Sequence, residues 1–266
     1  MTGQTLSTPL QGVRILDLTT VVYGPFATRI LAGMGAEVIK LEPPEGDILR
    51  TIGPMRNPGM GHLFLHANEG KQSLALNLKH EQGKQLALDL VKTCDVFISN
   101  IRPQPLVRLG LDAARLQALH PRLIHVSCTG YGDDGPYAGR PAYDDLIQGA
   151  SGVGRIMSQY LERDPAYAPV TLADRVSGLH AVYAVTSALF ARSQTGQGQT
   201  VDVTMFEAVS QFVLGDHMGG ATFIPPVGEV GYPRLVSPSR KPYRTQDGFL
   251  CVLIYDDRQW ADFFAA

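Results

Sequence analysis

Short apolar runs alternate with amphipathic segments through the first half of the chain. Val13–Leu18 is a compact apolar run that predicts a strand, and Phe26–Gly35 has the apolar spacing of a short helix ending at a glycine. A second strand is predicted over residues 36–44, where two prolines stop it. Strand, helix and strand in this order form a βαβ unit, which predicts a parallel sheet.

The same alternation continues to about Gly135. Strands are predicted over residues 72–78, 95–100 and 122–132, and helices over 81–94 and 112–120, the last with Asp112 as its N-cap. We therefore predict an α/β fold with a Rossmann-like doubly wound parallel sheet, in which ligands bind beyond the carboxyl ends of the strands. The residues that follow strands are the first site candidates: Thr19–Gly24, Glu42–Gly46, Asn100–Pro103 and Thr129–Pro136.

The pattern changes at Pro141. A short helix and a loop precede a long helix of small apolar residues that runs to about Gly196. Residues 225–242 are rich in proline and glycine and predict a long loop, and 248–255 predict a strand. We assign residues 1–215 to a large Rossmann-like domain. Residues 216–266 are assigned to a linker and the start of a smaller domain, which stops within an amphipathic helix.

Composition and charge narrow the functional classes. Of 266 residues, 44% are hydrophobic and 18% charged, as in ordinary globular proteins, and the net charge of −2 gives no attraction to nucleic acid. Cys94, Cys128 and Cys251 have neither metal-site nor disulfide spacing, so we expect no metal and a reducing cytoplasm. We find no signal-peptide pattern and no run of membrane-spanning length, so no membrane association is expected.

One carboxylate, Asp174, stands where the long small-residue helix is predicted to begin. Backbone N–H groups and the positive end of the helix dipole hold a carboxylate ionised at such a position. An ionised carboxylate is what nucleophilic attack on a thioester requires. Aspartate is also a preferred N-cap, so the residue by itself leaves two roles open, a helix cap or a nucleophile.

Six stretches of the chain resemble the class III CoA-transferases, a family that includes formyl-CoA and carnitine CoA-transferases and has α-methylacyl-CoA racemase as a relative. They are residues 9–47, 68–79, 94–112, 120–149, 172–208 and 242–260, in family order. Because family members usually continue further, the resemblance implies that the smaller domain is incomplete at its C-terminus. It also implies a homodimer of two interlocked chains.

The resemblance implies that Asp174 is the catalytic nucleophile of a CoA-transferase. CoA would move from an acyl-CoA donor to a small carboxylic acid through an acyl-aspartyl anhydride and an aspartyl-CoA thioester. No tightly bound cofactor is expected, since coenzyme A is itself substrate and product. Residues expected to bind CoA by resemblance are Val21, Val22 and Tyr23 near the thiol, Asn100 and Ile101, Arg108 and Leu109 toward the phosphates and adenine, and Lys71 facing the nucleotide.

Tyr143 and Asp144 occupy the positions where the racemase has a His–Asp pair, and the resemblance places them at the substrate. Tyrosine is a poor base near neutral pH because its ordinary pKa is about 10. Its hydroxyl is a good hydrogen-bond donor to a carbonyl or carboxylate, which favours a transferase. From the residues alone, packing at a helix start is the preferred role for Tyr143, and Asp144 could equally be a helix cap.

Three other functions remain open at this point. An acyl-CoA racemase or epimerase would use the same fold, and a non-catalytic CoA-binding remnant would fit the short C-terminus. A dinucleotide-dependent oxidoreductase would require G-x-G-x-x-G after the first strand, where this chain has Thr19–Ala27 without that motif. The glycine run that closes over the intermediate in formyl-CoA transferases is absent near residues 228–243, so oxalate and formate are not favoured substrates.

Overall fold

The computed structural model describes residues 7–266. Its strands are β1 (Arg14–Leu18), β2 (Glu37–Glu42), β3 (Gln72–Ala75), β4 (Val96–Ser99), β5 (Ile124–Thr129), β6 (Gln199–Thr204), β7 (Tyr243–Arg244) and β8 (Phe249–Leu250). Its helices are α1 (Tyr23–Gly33), α2 (His62–Asn68), α3 (Glu81–Val91), α4 (Pro103–Leu109), α5 (Ala113–Leu119), α6 (Asp144–Ala150), α7 (Val153–Leu161), α8 (Leu172–Thr195), α9 (Met205–His217) and α10 (Asp257–Ala265).

Six strands form a parallel sheet in the order β3-β2-β1-β4-β5-β6. The chain winds outward from β1 to β3 and then returns to lay β4 on the other side of β1, so the order reverses between β1 and β4. In β1, Leu16 lies beside Ile39 of β2 and Phe97 of β4, and all three are buried. The predicted doubly wound α/β fold is confirmed, with its topological switch point at β1 and β4.

The chain divides into two compact units. The first comprises the described residues up to Val153 together with Tyr167–Leu214, and it contains the six-stranded sheet. The second comprises Gly154–Ala166 and Gly215–Ala266, with the two-stranded antiparallel pair β7–β8 and helix α10. The sequence analysis assigned residues 1–215 to the first domain, whereas the structure groups the segment 154–166 with the second unit.

Helix boundaries depend on local chemistry that the sequence shows only in part. Helix α1 begins at Tyr23, three residues before the expected start. Pro25 is compatible with this first turn, because backbone N–H groups there have no acceptor within the helix and the proline loses no hydrogen bond. The helix ends at Gly33, and Gly35 follows with φ of +100°. Helix α5 begins as predicted, since the Asp112 side chain accepts a hydrogen bond from Arg115 N at 3.1 Å.

Helix α8 packs closely on α1, and its small residues explain the approach. A Cβ added to Gly178 would come within 2.7 Å of Phe26 Cδ1 and 3.1 Å of Tyr23 O, so only glycine fits without a shift of α1. The buried face of α8 consists of alanine, valine, serine and glycine. In the part of the chain that the structure describes, no helix is both long and apolar enough to cross a membrane.

Candidate active site

A cavity of about 320 Å³ opens at the carboxyl ends of β1, β4 and β5. Its walls bring together the loops after these three strands and the start of α8, with residues Thr20, Val21, Tyr23, Asn100, Arg102, Pro103, Cys128–Tyr131, Asp133, Gly139–Asp144, Asp174 and Met205. Three of the four predicted strand-end stretches therefore meet in one place. The fourth does not line the cavity, and Glu42 instead pairs with Arg50 at 2.6 Å.

Asp174 lies in the wall of this cavity as the third residue of α8. The N-cap of the helix is Thr171, so the possibility that Asp174 is itself the cap is wrong. The backbone N–H of Asp174 donates to Asp144 Oδ1 at 3.0 Å. Among residues 7–266 the structure gives no hydrogen bond to the Asp174 carboxylate itself, and the residue lines the cavity.

Burial, and after it the neighbouring Asp144 carboxylate, raise the pKa of Asp174 to about 7 against a smaller lowering effect of Arg175. The expected effect of the helix start, a carboxylate held ionised by converging N–H groups, is therefore wrong in direction. The physical reason is that the side chain is removed from water beside a like charge and receives no compensating donor. At neutral pH the carboxyl group is divided between its two protonation states.

Tyr143 and Asp144 both line the cavity, but in different ways. Tyr143 precedes α6 and is 68% exposed, so it is not held by packing. Asp144 is the first residue of α6, and each of its oxygens accepts a hydrogen bond, Oδ1 from Asp174 N and Oδ2 from Gln148 Nε2. Asp144 therefore spans the gap between α6 and α8 and supports the turn that carries Asp174.

The loop after β1 crosses the cavity in a constrained conformation. Val21 has φ of 69°, which is rare for a β-branched residue and costs of order 1–3 kcal/mol. Thr20 and Asn100 exchange two hydrogen bonds, from Thr20 N to Asn100 Oδ1 at 3.0 Å and from Asn100 Nδ2 to Thr20 O at 2.8 Å. Asp47 Oδ1 accepts from Val21 N at 3.4 Å. Asn100 thus ties the loops after β1 and β4 together across the switch point.

The next two residues of this loop are buried. Val22 packs with Leu49 and Phe64 in a small apolar cluster rather than lining the cavity. Tyr23 lines the cavity, and its hydroxyl donates to Val203 O at 2.9 Å. Burial raises the pKa of Tyr23 well above its usual range, so the phenol stays protonated and serves as a donor.

Lys71 does not fit the nucleotide-facing role that the resemblance suggested. Its side chain is 2% exposed, and its ammonium donates to Asp17 Oδ2 at 3.0 Å, Pro25 O at 2.9 Å and Asn68 Oδ1 at 2.8 Å. All three N–H donors of the ammonium are engaged inside the protein, which leaves none for a phosphate. The structure corrects the expectation, because the cation balances a buried carboxylate at the end of β1.

The other residues expected to bind CoA lie on α4 and the turn before it. Ile101 and Leu109 are partly buried and pack against the hydrophobic core. Arg108 is exposed in the last turn of α4. None of the three lines the cavity, so their contacts with CoA stay predictions about a surface beside it.

One buried residue near the site was missed by the sequence analysis. Gln148 is 0% exposed and bonds both to Asp144 and to the loop before α8. Its position four residues after Asp144 on one helix is the signal that could have found it, since such pairs share a helix face. Within residues 7–266 no cluster of three or more metal-binding side chains occurs.

Comparison with known proteins matches nearly the whole chain to one family. The sequence model of CoA-transferase family III matches residues 10–266. Succinate–glutarate CoA-transferase of Agrobacterium fabrum is 36% identical over 95% of this chain and 64% of its own length. Acetyl-CoA:oxalate CoA-transferase of Acetobacter aceti is 39% identical over 77% and 53%. This chain thus spans slightly over half to about two thirds of these two relatives.

A solved structure has a similar fold. A CAIB/BAIF family protein from Brucella suis superposes with a TM-score of 0.86 and 32% identity, over 98% of this chain and 70% of that chain. At this identity and coverage the likeness extends beyond the sheet topology to most of the described elements.

Proposed function

The chain belongs to CoA-transferase family III, and on that basis we propose that it transfers coenzyme A from an acyl-CoA donor to a small carboxylic acid. The observation that carries the proposal is Asp174. It is a carboxylate in the wall of a cavity at the switch point, it accepts no hydrogen bond from residues 7–266, and its pKa is about 7. A carboxylate of raised pKa is a stronger nucleophile than an ordinary one while remaining substantially ionised at neutral pH.

In the proposed reaction an Asp174 oxygen attacks the thioester carbonyl carbon of the donor, and the CoA thiolate leaves with the electron pair of the C–S bond. The product is a mixed anhydride of Asp174 and the donor acid. The thiolate then attacks the aspartyl carbonyl carbon, which expels the donor carboxylate and gives an aspartyl-CoA thioester. The acceptor carboxylate reverses these two steps and leaves as the new acyl-CoA, regenerating the Asp174 carboxylate.

No proton needs to be transferred in this sequence, because every nucleophile and every leaving group is an anion. That property fits a cavity with Tyr143 and Asp174 but without a histidine among its lining residues. The Tyr143 hydroxyl is free to donate to a substrate carbonyl or carboxylate. A racemase would instead need a base for the α-proton, a task that a carboxylate with a pKa near 7 could also perform.

In the proposed complex, the CoA arm enters beside the loops that follow β1 and β4. Val21 and Tyr23 line the cavity, and Asn100 fixes the loop, so the thiol end would pass between the strand ends of β1 and β4. Arg108 and Leu109 would meet the nucleotide outside the cavity. The relative named for succinate and glutarate makes these the first acceptors to try. Oxalate, for which another relative is named, is disfavoured here because the glycine run is absent. We further propose that the chain works in the cytoplasm as an interlocked homodimer.

The test is mass spectrometry of the Asp174 peptide after the chain is incubated with a panel of acyl-CoAs and trapped by rapid acid quench. We expect a covalent adduct in the wild type and none in Asp174→Asn or Asp174→Ala, with CoA still bound in a pull-down or calorimetric assay. Asp145→Asn removes a neighbouring exposed acid in the first turn of α6 and is the matched control that should retain the adduct.

Two results would overturn the proposal. Turnover of Asp174→Asn at the wild-type rate would exclude Asp174 as the nucleophile. Exchange of the α-proton for deuterium without any movement of CoA between acids would indicate the racemase instead.

A further inference from the structure

Gln148 occupies the centre of a hydrogen-bond chain that ends at the proposed nucleophile. Its side chain is 0% exposed, one turn after Asp144 on α6. The amide oxygen accepts from Ala168 N at 2.8 Å, and the amide nitrogen donates to Val170 O at 3.3 Å and to Asp144 Oδ2. Both ends of the amide are therefore engaged, with donor and acceptor each matched to its partner.

The chain continues through Asp144 to α8. Asp144 Oδ2 takes the Gln148 bond, and Oδ1 takes the backbone N–H of Asp174. The two residues that Gln148 contacts in the loop, Ala168 and Val170, lie just before Thr171, the N-cap of α8. Gln148 therefore holds the start of α8 from two directions, through the loop that enters it and through the carboxylate that meets its first turn.

We infer that Gln148 is a positioning residue for the proposed acyl transfer, holding the Asp144 carboxylate so that one of its oxygens anchors the Asp174 backbone and its charge stays beside the Asp174 side chain. The inference rests on the proposed function only for its catalytic readout. Glutamine suits the task because it is neutral and carries a donor and an acceptor at one end. Glutamate would set a second carboxylate against Asp144, and methionine would fill the space without any hydrogen bond.

Other groups around Asp174 define what the pH behaviour can report. Asp144 on α6 raises the pKa of Asp174 and Arg175 on α8 lowers it, while Tyr23 on α1 and Cys128 at the end of β5 line the same cavity. Burial holds Tyr23 protonated and raises the pKa of Cys128 to about 12, so neither titrates near neutral pH. A change in the midpoint of Asp174 after substitution of Gln148 therefore reports a change in the burial of Asp174 or in the placement of Asp144, and an Asp144→Ala background separates the two.

The experiment compares Gln148→Met with Gln85→Met in the full chain. Gln85 is the matched control because it also donates its amide to an aspartate on the same helix, Asp89 at 3.1 Å, on the exposed side of α3. We expect Gln148→Met to slow formation of the Asp174 adduct by about 10- to 100-fold, since small misplacements of a reacting group have effects of this size. CoA affinity should change by less than about threefold, and Gln85→Met should match the wild type in both.

A second readout needs no catalysis. The Asp174 carboxyl titration is followed by carbon NMR of aspartate-labelled protein, assigned with Asp174→Asn. In Gln148→Met the Asp144 charge is released from its fixed place, so the Asp174 midpoint should fall below about 7 but stay above its ordinary value, because burial, the larger cause of the rise, remains. In an Asp144→Ala background, Gln148→Met should have little further effect on rate or midpoint, because Gln148 acts through Asp144.

The outcomes separate the two proposals. A wild type without an adduct defeats the proposed transfer, and the NMR midpoint then decides about Gln148 alone. An unchanged rate and midpoint in folded Gln148→Met overturns the positioning role, as does an equal loss in the presence and absence of Asp144. If Gln148→Met does not fold, Gln148→Glu provides the test, since its protonated form retains a donor. Its adduct rate relative to the wild type should rise as pH falls, and a constant ratio contradicts the inference.

Discussion

Two carboxylates of the same α/β unit, Asp17 in β1 and Asp174 in α8, lie in surroundings of opposite kind. Asp17 is 0% exposed and accepts from Thr19 N, the Thr28 hydroxyl and the Lys71 ammonium. Burial raises its pKa, but Lys71, Lys40 and the hydroxyl donors lower it more, so the net shift is downward. Asp174 is also largely removed from water, yet its neighbour is the like charge of Asp144 and no described residue donates a hydrogen bond to its carboxylate, so its pKa rises to about 7.

The opposite pKa shifts mean that ionised Asp17 stabilises the fold, whereas ionised Asp174 destabilises it. Around Asp17 the second lysine, Lys40, donates to Thr19 O at 2.8 Å and pairs with Asp47 at 3.0 Å, so four buried ionic groups hold the base of the loop after β1. Buried charges are stable in proteins when they are paired with opposite charges and hydrogen-bonded, as these four groups are. Among the described residues, no hydrogen-bond donor offsets the burial of Asp174 in this way. Acids in clefts with strongly shifted pKa values are candidates for catalytic residues.

The largest effect is expected from Lys71→Met, which breaks the buried ion pair between Lys71 and Asp17. The Asp17 carboxylate would stay buried without its main cation, and loss of one partner of a buried pair costs about 3–5 kcal/mol in the free energy of unfolding. Urea denaturation measures the change. Lys92→Met removes a lysine from an exposed pair with Asp89 and should leave the urea midpoint nearly unchanged. A stable Lys71→Met that loses CoA affinity would instead restore the nucleotide role.

A smaller effect of the opposite sign is expected from Asp174→Asn. The folded-state pKa of about 7 exceeds the ordinary 3.8, so the unfolded chain loses this proton first and stability falls as pH rises from about 4 to 7. Asparagine carries no such penalty. The variant should therefore be more stable than the wild type by about 1–3 kcal/mol at pH 8, with the difference vanishing toward pH 4. Thermal unfolding over this pH range checks it, and a variant that is less stable at pH 8 contradicts it.

The architecture could be predicted from sequence because it follows from periodicity. Alternating strand and helix patterns, the glycine after α1 and the aspartate before α5 are local signals, and the structure reproduces them. Strand ends that face a ligand also follow from topology alone, which is why three of the four predicted stretches meet in the cavity. The family resemblance supplied the choice of Asp174 among many aspartates.

The surroundings of each charge could not be predicted, because they depend on distant residues. Lys71 forms a hydrogen bond with Asp17, 54 positions away in the sequence, and Asn100 forms one with Thr20, 80 positions away. Nothing beside Lys71 in the sequence indicates that its ammonium points into the core. The expected ionisation of Asp174 is reversed first by burial and then by its neighbour Asp144, 30 positions earlier. The sequence shows both acids, but only the packing of α6 against α8 makes them neighbours.

The smallest effect is expected from Arg175→Met, which removes a cation that lowers the pKa of Asp174. In the wild type the rate of adduct formation at low acyl-CoA concentration should rise with pH, with a midpoint near 7, and stay flat above it, because the ionised form is the nucleophile. The Arg175 guanidinium carbon lies 4.5 Å from the centroid of the Phe26 ring, and Arg175 lowers the pKa of Asp174 by less than burial and Asp144 raise it. Its removal should move the midpoint upward by less than about one pH unit, whereas Lys92→Met leaves it in place. A downward movement would mean that Arg175 orients Asp144 rather than attracting Asp174. Asp174 would then differ from Asp17 in having no effective cation at all, and its pKa would be set by burial and Asp144 alone.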